Sequence, residues 1–165
     1  MSKTKVKDPE RAGALIVNKE MSKCLMVHQI KSKLWGLPKG RKNYEDEPDD
    51  VCMRREVKEE VGLELENIPH TIKDIISVYP RAKIFVVKLK CSMMKCEPPK
   101  EDGKDNHEID VIEWVPLTEA IMRKTNSITR KAITHYMNKY VNKKHVSYEN
   151  QMKGYDLILS ISDDY

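Results

Sequence analysis

Three glutamates within residues 55–63 have the spacing of metal ligands on a helix. If this stretch is helical, Glu56, Glu59 and Glu60 stand at positions i, i+3 and i+4 and share one face. Like charges at these spacings destabilise a helix by about 0.2–0.5 kcal/mol per pair. A solvated face usually interleaves lysines, whereas Lys58 points elsewhere. Because hard divalent cations such as Mg²⁺ take oxygen ligands, this carboxylate face predicts a metal site.

The residues before and within this helix resemble the Nudix box. That motif has a glycine, an acidic residue, and then Arg-Glu-hydrophobic-x-Glu-Glu-x-Gly-hydrophobic, which residues 55–63 match completely. Seven residues separate Glu47 from Arg55, as in the family, but six rather than five separate Gly40 from Glu47. We expect one inserted residue in this loop, since loop tips absorb insertions more easily than helices do. The alternative is that Asp46 takes the acidic position.

The resemblance implies an enzyme that hydrolyses nucleoside diphosphates linked to another group. A pyrophosphate repels an incoming hydroxide, so metals must neutralise its charge and a base must deprotonate water. By position, Glu56, Glu60 and the main-chain carbonyl of Gly40 would bind Mg²⁺ or Mn²⁺. Glu59 would either bridge metals or act as the general base.

The approach to the helix carries a narrower resemblance. The run Leu37-Pro38-Lys39-Gly40 resembles messenger-RNA decapping Nudix enzymes and some dinucleoside polyphosphate hydrolases. Lys39 would then contact a substrate phosphate, the alternative being an ordinary surface lysine. Arg55 would hold Glu47 or a catalytic carboxylate in place as a supporting partner.

Residues 106–117 resemble the segment before the last strand of decapping enzymes, where a loop glutamate completes the metal site or acts as the base. Glu108 is our choice for that glutamate. Glu113 is the alternative, but its neighbours Ile112 and Trp114 place it within a strand. His107 is expected to be a loop residue, since Mg²⁺ prefers oxygen ligands.

The last helix is predicted to be basic. A row of cations on one helix is the usual footprint of nucleic-acid binding, and in decapping enzymes the corresponding helix binds the RNA body. The alternative is a solvated face. The candidate RNA-binding residues are Arg130, Lys131, Lys139, Lys143 and Lys144.

Two hydrolase functions fit these motifs. The first is decapping of capped RNA, which releases a methylated guanosine diphosphate. The second is hydrolysis of small substrates such as dinucleoside polyphosphates or diphosphoinositol phosphates. A non-catalytic RNA-binding domain is disfavoured by the intact glutamates. Eukaryotic decapping enzymes carry a helical regulatory domain before the catalytic one, whereas only about ten residues precede the first predicted strand here, a departure that counts against decapping unless the chain resembles a minimal or viral-type version.

Composition supports a single domain with a polyanionic partner. The 165 residues carry a net charge of +4, which suits a polyanionic partner. The four cysteines show no paired metal spacing, so free thiols in a reducing compartment are expected. No apolar run approaches the roughly 20 residues that span a bilayer, and no signal peptide is evident. We expect a cytoplasmic protein without a membrane or obligate protein partner.

The pattern of apolar runs predicts an α/β fold. Together with the resemblance it predicts an α/β/α sandwich with a mixed sheet and a catalytic loop-helix-loop. The catalytic helix should begin near Pro48 and end at Gly62, and Ser127 should cap the last helix. We predict a flexible tail over residues 1–10, the Nudix domain over 11–145, and an extension or edge strand over 146–165. The predicted strands cover residues 12–17, 24–28, 72–78, 83–90 and 109–115.

Overall fold

The computed structural model describes residues 10–79, 81–97 and 108–143. Its strands are β1 (Arg11–Val17), β2 (Lys23–Gln29), β3 (Trp35–Gly36), β4 (Lys39–Arg41), β5 (His70–Val78), β6 (Ala82–Leu89) and β7 (Ile109–Pro116). Its helices are α1 (Asp49–Val61), α2 (Leu117–Ala120) and α3 (Ser127–Tyr136), with a 3₁₀ turn at Leu65–Asn67 and π-helical turns at Met137–Asn142.

The strands form one mixed sheet in the order β3-β2-β1-β6-β5, with β4 added to β1 and β7 added to β2. β1 runs parallel to β6, and the other pairs are antiparallel. β1 meets β2 only where Val17 pairs with Cys24, and its first residues pair with β4 instead. The predicted α/β fold with a mixed sheet is confirmed.

The centre of the sheet is covered on both faces. Successive residues of β1, including Ala14, Leu15 and Ile16, are all fully buried, as expected for a strand with cover on each side. Met53 and Val57 of α1 join the core cluster on one face. α1 is therefore fixed against β1 and β4, and its Glu56 lies against Gly40 of β4.

The ends of α1 follow the predicted signals. Pro48 immediately precedes the helix, and Asp49 and Asp50 stand in the first turn, where carboxylates are favourable. Gly62 ends it in the left-handed conformation, with φ of 73°, and donates its N–H to the Lys58 carbonyl. Both predicted boundaries are confirmed.

Two local predictions are corrected by the structure. Lys39 and Gly40 were expected in a loop but form β4, beside which Gly13 lies so close that a β carbon would overlap the Lys39 side chain. Asn126, not Ser127, caps α3, because its Oδ1 accepts the Thr129 N–H at 2.9 Å. Ser127 is the first helical residue.

Some predictions lie outside the described residues. These are the tail over residues 1–9, the loop residue His107, the cation Lys144 and the extension over 146–165. The chain divides into two compact units, one ending at Ile133 and the next beginning at Thr134. No helix among the described residues is long and apolar enough to cross a membrane.

Candidate active site

Glu47 and Arg55 form an ion pair with two hydrogen bonds. Arg55 Nε and Nη2 each donate to a Glu47 carboxylate oxygen at 3.1 Å, and the Asn43 N–H donates to the same carboxylate at 2.8 Å. Glu47 is only 2% exposed, whereas Asp46 is exposed. The hydrogen bonds from Arg55 hold the pKa of Glu47 below its usual range. The structure thus places Glu47, and not Asp46, in the acidic position beside Arg55.

Arg55 also reaches the carboxylates of its own helix. Its Nη1 donates to Glu56 Oε1 at 2.7 Å and contacts Glu59 Oε2 at 3.4 Å. Glu56 is buried, and the Glu59 side chain is 55% exposed. Since Arg55 is itself fixed by Glu47 and by the Arg41 carbonyl, it sets where these two carboxylates point.

Gly40 makes room for Glu56. A β carbon at Gly40 would overlap the Glu56 carboxylate, so only a glycine at this position of β4 leaves the cradle open. The buried Cys52 thiol lies 3.9 Å from the Gly40 carbonyl oxygen. Burial raises the pKa of Cys52 to about 11, so this thiol stays protonated and can donate to that oxygen.

Glu60 lies in the most strained electrostatic position of the cluster. Burial and the neighbouring Glu56 charge raise its pKa to about 8, and Glu108 adds to the repulsion. Burial raises the pKa of Glu56 as well, and the charges of Glu59 and Glu108 add to that effect, so Glu108 lies close enough to act on both Glu56 and Glu60. The Lys39 N–H donates to Glu60 Oε2 at 3.2 Å, and burial lowers the pKa of the Lys39 ammonium.

This donor set fits a divalent cation. Carboxylate oxygens are the ligands that Mg²⁺ and Mn²⁺ take, and a cation would relieve the repulsion at Glu60. The Gly40 cradle keeps the Glu56 carboxylate at the helix–strand junction. Among the described residues, no three His, Cys, Asp or Glu side chains already stand as a ligand set. The cluster therefore supplies candidate ligands and not a completed ligand set.

Glu113 is held elsewhere. It lies in β7, and both of its oxygens accept hydrogen bonds from Arg123, at 2.9 and 3.0 Å. Glu108 immediately precedes β7, is exposed, and accepts the Ile30 N–H at its carbonyl. Of the two alternatives, Glu108, the first choice from the sequence, is the one whose charge acts on Glu56 and Glu60.

Two residues near the site were missed from the sequence. Cys52 lies at i−4 from Glu56, which places it on the same side of α1, and that spacing could have revealed it. Arg11 acts on Lys39 through its charge. It comes close because β1 pairs with β4, and β4 was not predicted.

The predicted RNA-binding cations are exposed wherever the structure describes them. Arg130 and Lys131 lie in α3, and Lys139 and Lys143 follow in the next turns. Lys131 Nζ lies 5.6 Å from the centre of the Tyr79 ring. Exposure is compatible with both readings of this helix, as a nucleic-acid surface or as a solvated face.

Comparison with known proteins identifies a family match over most of the chain. A family model described as the NUDIX domain matches residues 7–137. The chain is 35% identical over 120 residues to mRNA-decapping enzyme subunit 2 of Saccharomyces cerevisiae (strain YJM789), covering 68% of this chain and 11% of that protein. The Arabidopsis thaliana mRNA-decapping enzyme subunit 2 is 32% identical over 77 residues, covering 46% of this chain and 20% of that one. The chain thus spans about a tenth of the yeast relative's length.

Solved structures share the fold at low sequence identity. A Caenorhabditis elegans Ap4A hydrolase binary complex has a TM-score of 0.56 at 21% identity, covering 78% of this chain and 96% of that one. The Escherichia coli dihydroneopterin triphosphate pyrophosphohydrolase has a TM-score of 0.60 at 17% identity, covering 82% and 97%. Likeness at these identities shows the fold alone.

Proposed function

The chain belongs to the Nudix family, and from this premise we propose that it is a divalent-cation-dependent hydrolase of the 5′ cap of messenger RNA. The products would be 7-methylguanosine diphosphate and RNA with a 5′-monophosphate. The observation that carries the hydrolase is the carboxylate cluster of Glu56, Glu60 and Glu108 beside Lys39, in which Glu56 is buried and Glu60 is half-buried.

The cation would be held by Glu56, Glu60 and the Gly40 carbonyl, with Glu108 beside it. Bound there, it would neutralise pyrophosphate charge and lower the pKa of the attacking water. The Gly40 cradle and the Arg55 hydrogen bond fix Glu56 before any cation arrives. This preorganisation reduces the rearrangement that binding requires.

The chain's own side chains then divide the remaining work. Lys39 lies among the carboxylates, where its ammonium would contact a substrate phosphate. Glu108 would accept the proton of the attacking water, because one oxygen of its rival Glu59 is contacted by Arg55. Arg55 and Glu47 touch no reacting atom in this scheme and act as positioning residues.

Capped RNA is favoured as the substrate by sequence likeness. A second yeast relative, 35% identical over the same 120 residues, is named m7GpppN-mRNA hydrolase. The likeness to Ap4A hydrolase rests on the fold alone. The exposed cations of α3 and the net charge of +4 suit a long polyanion better than a small nucleotide.

The test is to incubate the protein with cap-labelled RNA and, separately, with diadenosine tetraphosphate, with Mg²⁺ or Mn²⁺ supplied. We expect 7-methylguanosine diphosphate from the RNA. Glu60→Gln should abolish turnover, and Glu108→Gln should reduce it by at least ~10²-fold.

Glu66→Gln is the matched control, since Glu66 lies outside the cluster in the 3₁₀ turn and should leave turnover unchanged. Turnover by Glu60→Gln within a few-fold of wild type would overturn the metal assignment. If the protein cleaves diadenosine tetraphosphate in preference to capped RNA, the proposed substrate is wrong and a dinucleoside polyphosphate takes its place.

A further inference from the structure

Arg123, Trp35 and Glu113 form a stacked ion pair that the hydrolytic reaction does not use. The Arg123 guanidinium carbon lies 4.1 Å from the centre of the Trp35 ring. Both terminal nitrogens of that guanidinium donate to the two oxygens of Glu113. One planar cation thus makes a stacking contact and a paired hydrogen bond at the same time.

Backbone hydrogen bonds bring Arg123, Trp35 and Glu113 close together. The Trp35 N–H donates to the Lys124 carbonyl at 2.9 Å, and the Asn126 N–H donates back to Trp35 at 3.4 Å. Arg123 is therefore carried alongside β3. Trp35 and Glu113 both flank β2, because β3 pairs on one edge of it and β7 on the other.

The Arg123 guanidinium resembles a methylated guanine in its positive charge, its planarity and its pair of hydrogen-bond donors. Guanine methylated at N7 is a planar cation, and its N1–H and N2–H edge offers two parallel donors, as an arginine does. A carboxylate that accepts both terminal nitrogens of Arg123 can accept that edge equally well. The flat cation would stack on Trp35, the aromatic ring that binds cations best.

We propose that Trp35 and Glu113 bind the 7-methylguanine base of the substrate, and that Arg123 occupies this place until the base displaces it. This inference rests on the proposed function, whose cap supplies such a base. The Glu113 side chain is 45% exposed and can be reached from solvent. Arg123 lies in the connection between α2 and α3, outside both helices, and its side chain is 20% exposed.

The base site lies within reach of the carboxylate cluster. Trp35 precedes Lys39 by four residues, which span at most roughly 14 Å when extended. His28, whose ring lies 5.2 Å from that of Trp35, bonds Asp110 at 2.7 Å, two residues beyond Glu108. One nucleotide could therefore place its base on Trp35 and its phosphates beside Lys39.

The test measures binding without hydrolysis, using 7-methylguanosine diphosphate and guanosine diphosphate as probes and a chelator to remove metals. Calorimetry on the full chain should show tighter binding of the methylated probe. Glu113→Gln should weaken that binding at least about tenfold, since it loses a charged acceptor. Arg123→Ala should strengthen it several-fold, because it removes the competing cation.

Location is checked by fluorescence. The chain has two tryptophans, so Trp114→Phe leaves Trp35 as the reporter, which the methylated probe should quench and the unmethylated probe should not. Trp35→Phe keeps an aromatic face and should retain part of the affinity. Trp35→Ala should lose the preference for the methylated probe.

A structural role for Arg123 makes the opposite prediction. Arg123→Ala would then leave affinity unchanged or lower it for both probes alike, and that result would overturn the proposal. Equal binding of the two probes by wild-type protein would also overturn it, even if capped RNA is hydrolysed. Preference for the methylated probe in a protein that does not hydrolyse capped RNA would support the base site and refute only the proposed function.

Discussion

At the scale of single residues, Glu60 is expected to serve the reaction and also to lower the stability of the metal-free protein. Its pKa rises from an ordinary value near 4.5 to about 8, first through burial and then through the Glu56 charge. Unfolded chains therefore ionise this group at a lower pH than the folded protein does. In the absence of metal, Glu60 should lower the free energy of unfolding progressively as the pH rises from about 4.5 to about 8.

Glu60→Gln should consequently stabilise the metal-free protein. In a chelator at pH 8 the variant should have a higher melting temperature than wild type. Its free energy of unfolding should be higher by an amount on the order of a few kcal/mol at most, since one pKa unit is about 1.4 kcal/mol. At pH 4.5 the difference should nearly vanish. Thermal melts across this range check it. Added Mg²⁺ should stabilise wild type more than the variant, and the same response in both proteins would contradict the assignment.

Glu47 should behave in the opposite sense. Arg55 holds its pKa below the usual range, so its stabilising effect is present above the unfolded-state pKa and is lost as the pH falls through the lower folded-state value. Glu47→Gln should destabilise the protein at neutral pH, and its difference from wild type should shrink in acid. Asp46→Asn is the control. A larger loss at Asp46 would contradict the placement of Glu47 beside Arg55.

The sequence could predict the catalytic helix but not everything around it. The spacing of the glutamates and the resemblance of residues 55–63 to the Nudix box predict Arg55, Glu56 and Glu60 directly, because a helix fixes which side chains share a face. The spacing to Arg55 favoured Glu47, but the spacing to Gly40 left Asp46 as an alternative. That choice depends on a loop conformation in which one acid is buried against Arg55 and the other faces solvent.

At the scale of secondary-structure elements, the N-terminal cap of α3 is formed by Asn126 and not by its neighbour Ser127. The Asn126 side chain accepts the Thr129 N–H, while the Thr129 hydroxyl accepts the Leu37 N–H at 3.1 Å. The cap therefore steadies the helix start that supports the strand leading to the site. Ser127 is exposed.

Asn126→Ala should lower the free energy of unfolding by about 1 kcal/mol, the usual cost of losing an N-cap. Ser127→Ala should change it by only a few tenths, about the scale of helix propensity differences. Chemical denaturation of both variants measures the contrast. Equal losses would mean that Ser127 contributes to the cap after all.

Strand prediction failed where pairing rather than pattern makes the strand. β4 has three residues, Lys39–Arg41, with no alternation that could mark it. It forms because Gly13 lets β1 approach within contact of Lys39 and the Pro38 carbonyl. Longer strands such as β1 and β6 were predictable because their consecutive apolar residues indicate a buried strand.

At the scale of the whole molecule, the net charge of +4 coexists with a concentrated acidic site. The acidic groups gather around α1, so the basic excess lies elsewhere, and part of it is in α3 and the turns that follow. Composition predicted that a polyanion would suit this chain, but not which surface would meet it. Only the fold shows that Lys139 and Lys143 are exposed.

Reversing these charges tests whether that helical surface meets RNA. Lys139→Glu combined with Lys143→Glu should weaken binding of capped RNA and flatten its dependence on salt. Each lost phosphate contact removes roughly 0.7 from the log–log slope for a single strand. Hydrolysis of a free cap dinucleotide should hardly change, because it offers no RNA body to the helix.

A double variant with the same change of net charge separates local from general electrostatics. Lys19→Glu with Lys124→Glu alters two exposed lysines outside the π-helical turns. If the RNA contacts are local, this control should keep the wild-type dependence of RNA binding on salt. Salt screening limits the effect of a surface charge to about a Debye length of 8–10 Å. Equal weakening by both double variants would show that net charge alone attracts RNA. Unchanged binding in both would make the helix a solvated face and move small nucleotides ahead of capped RNA as the substrate.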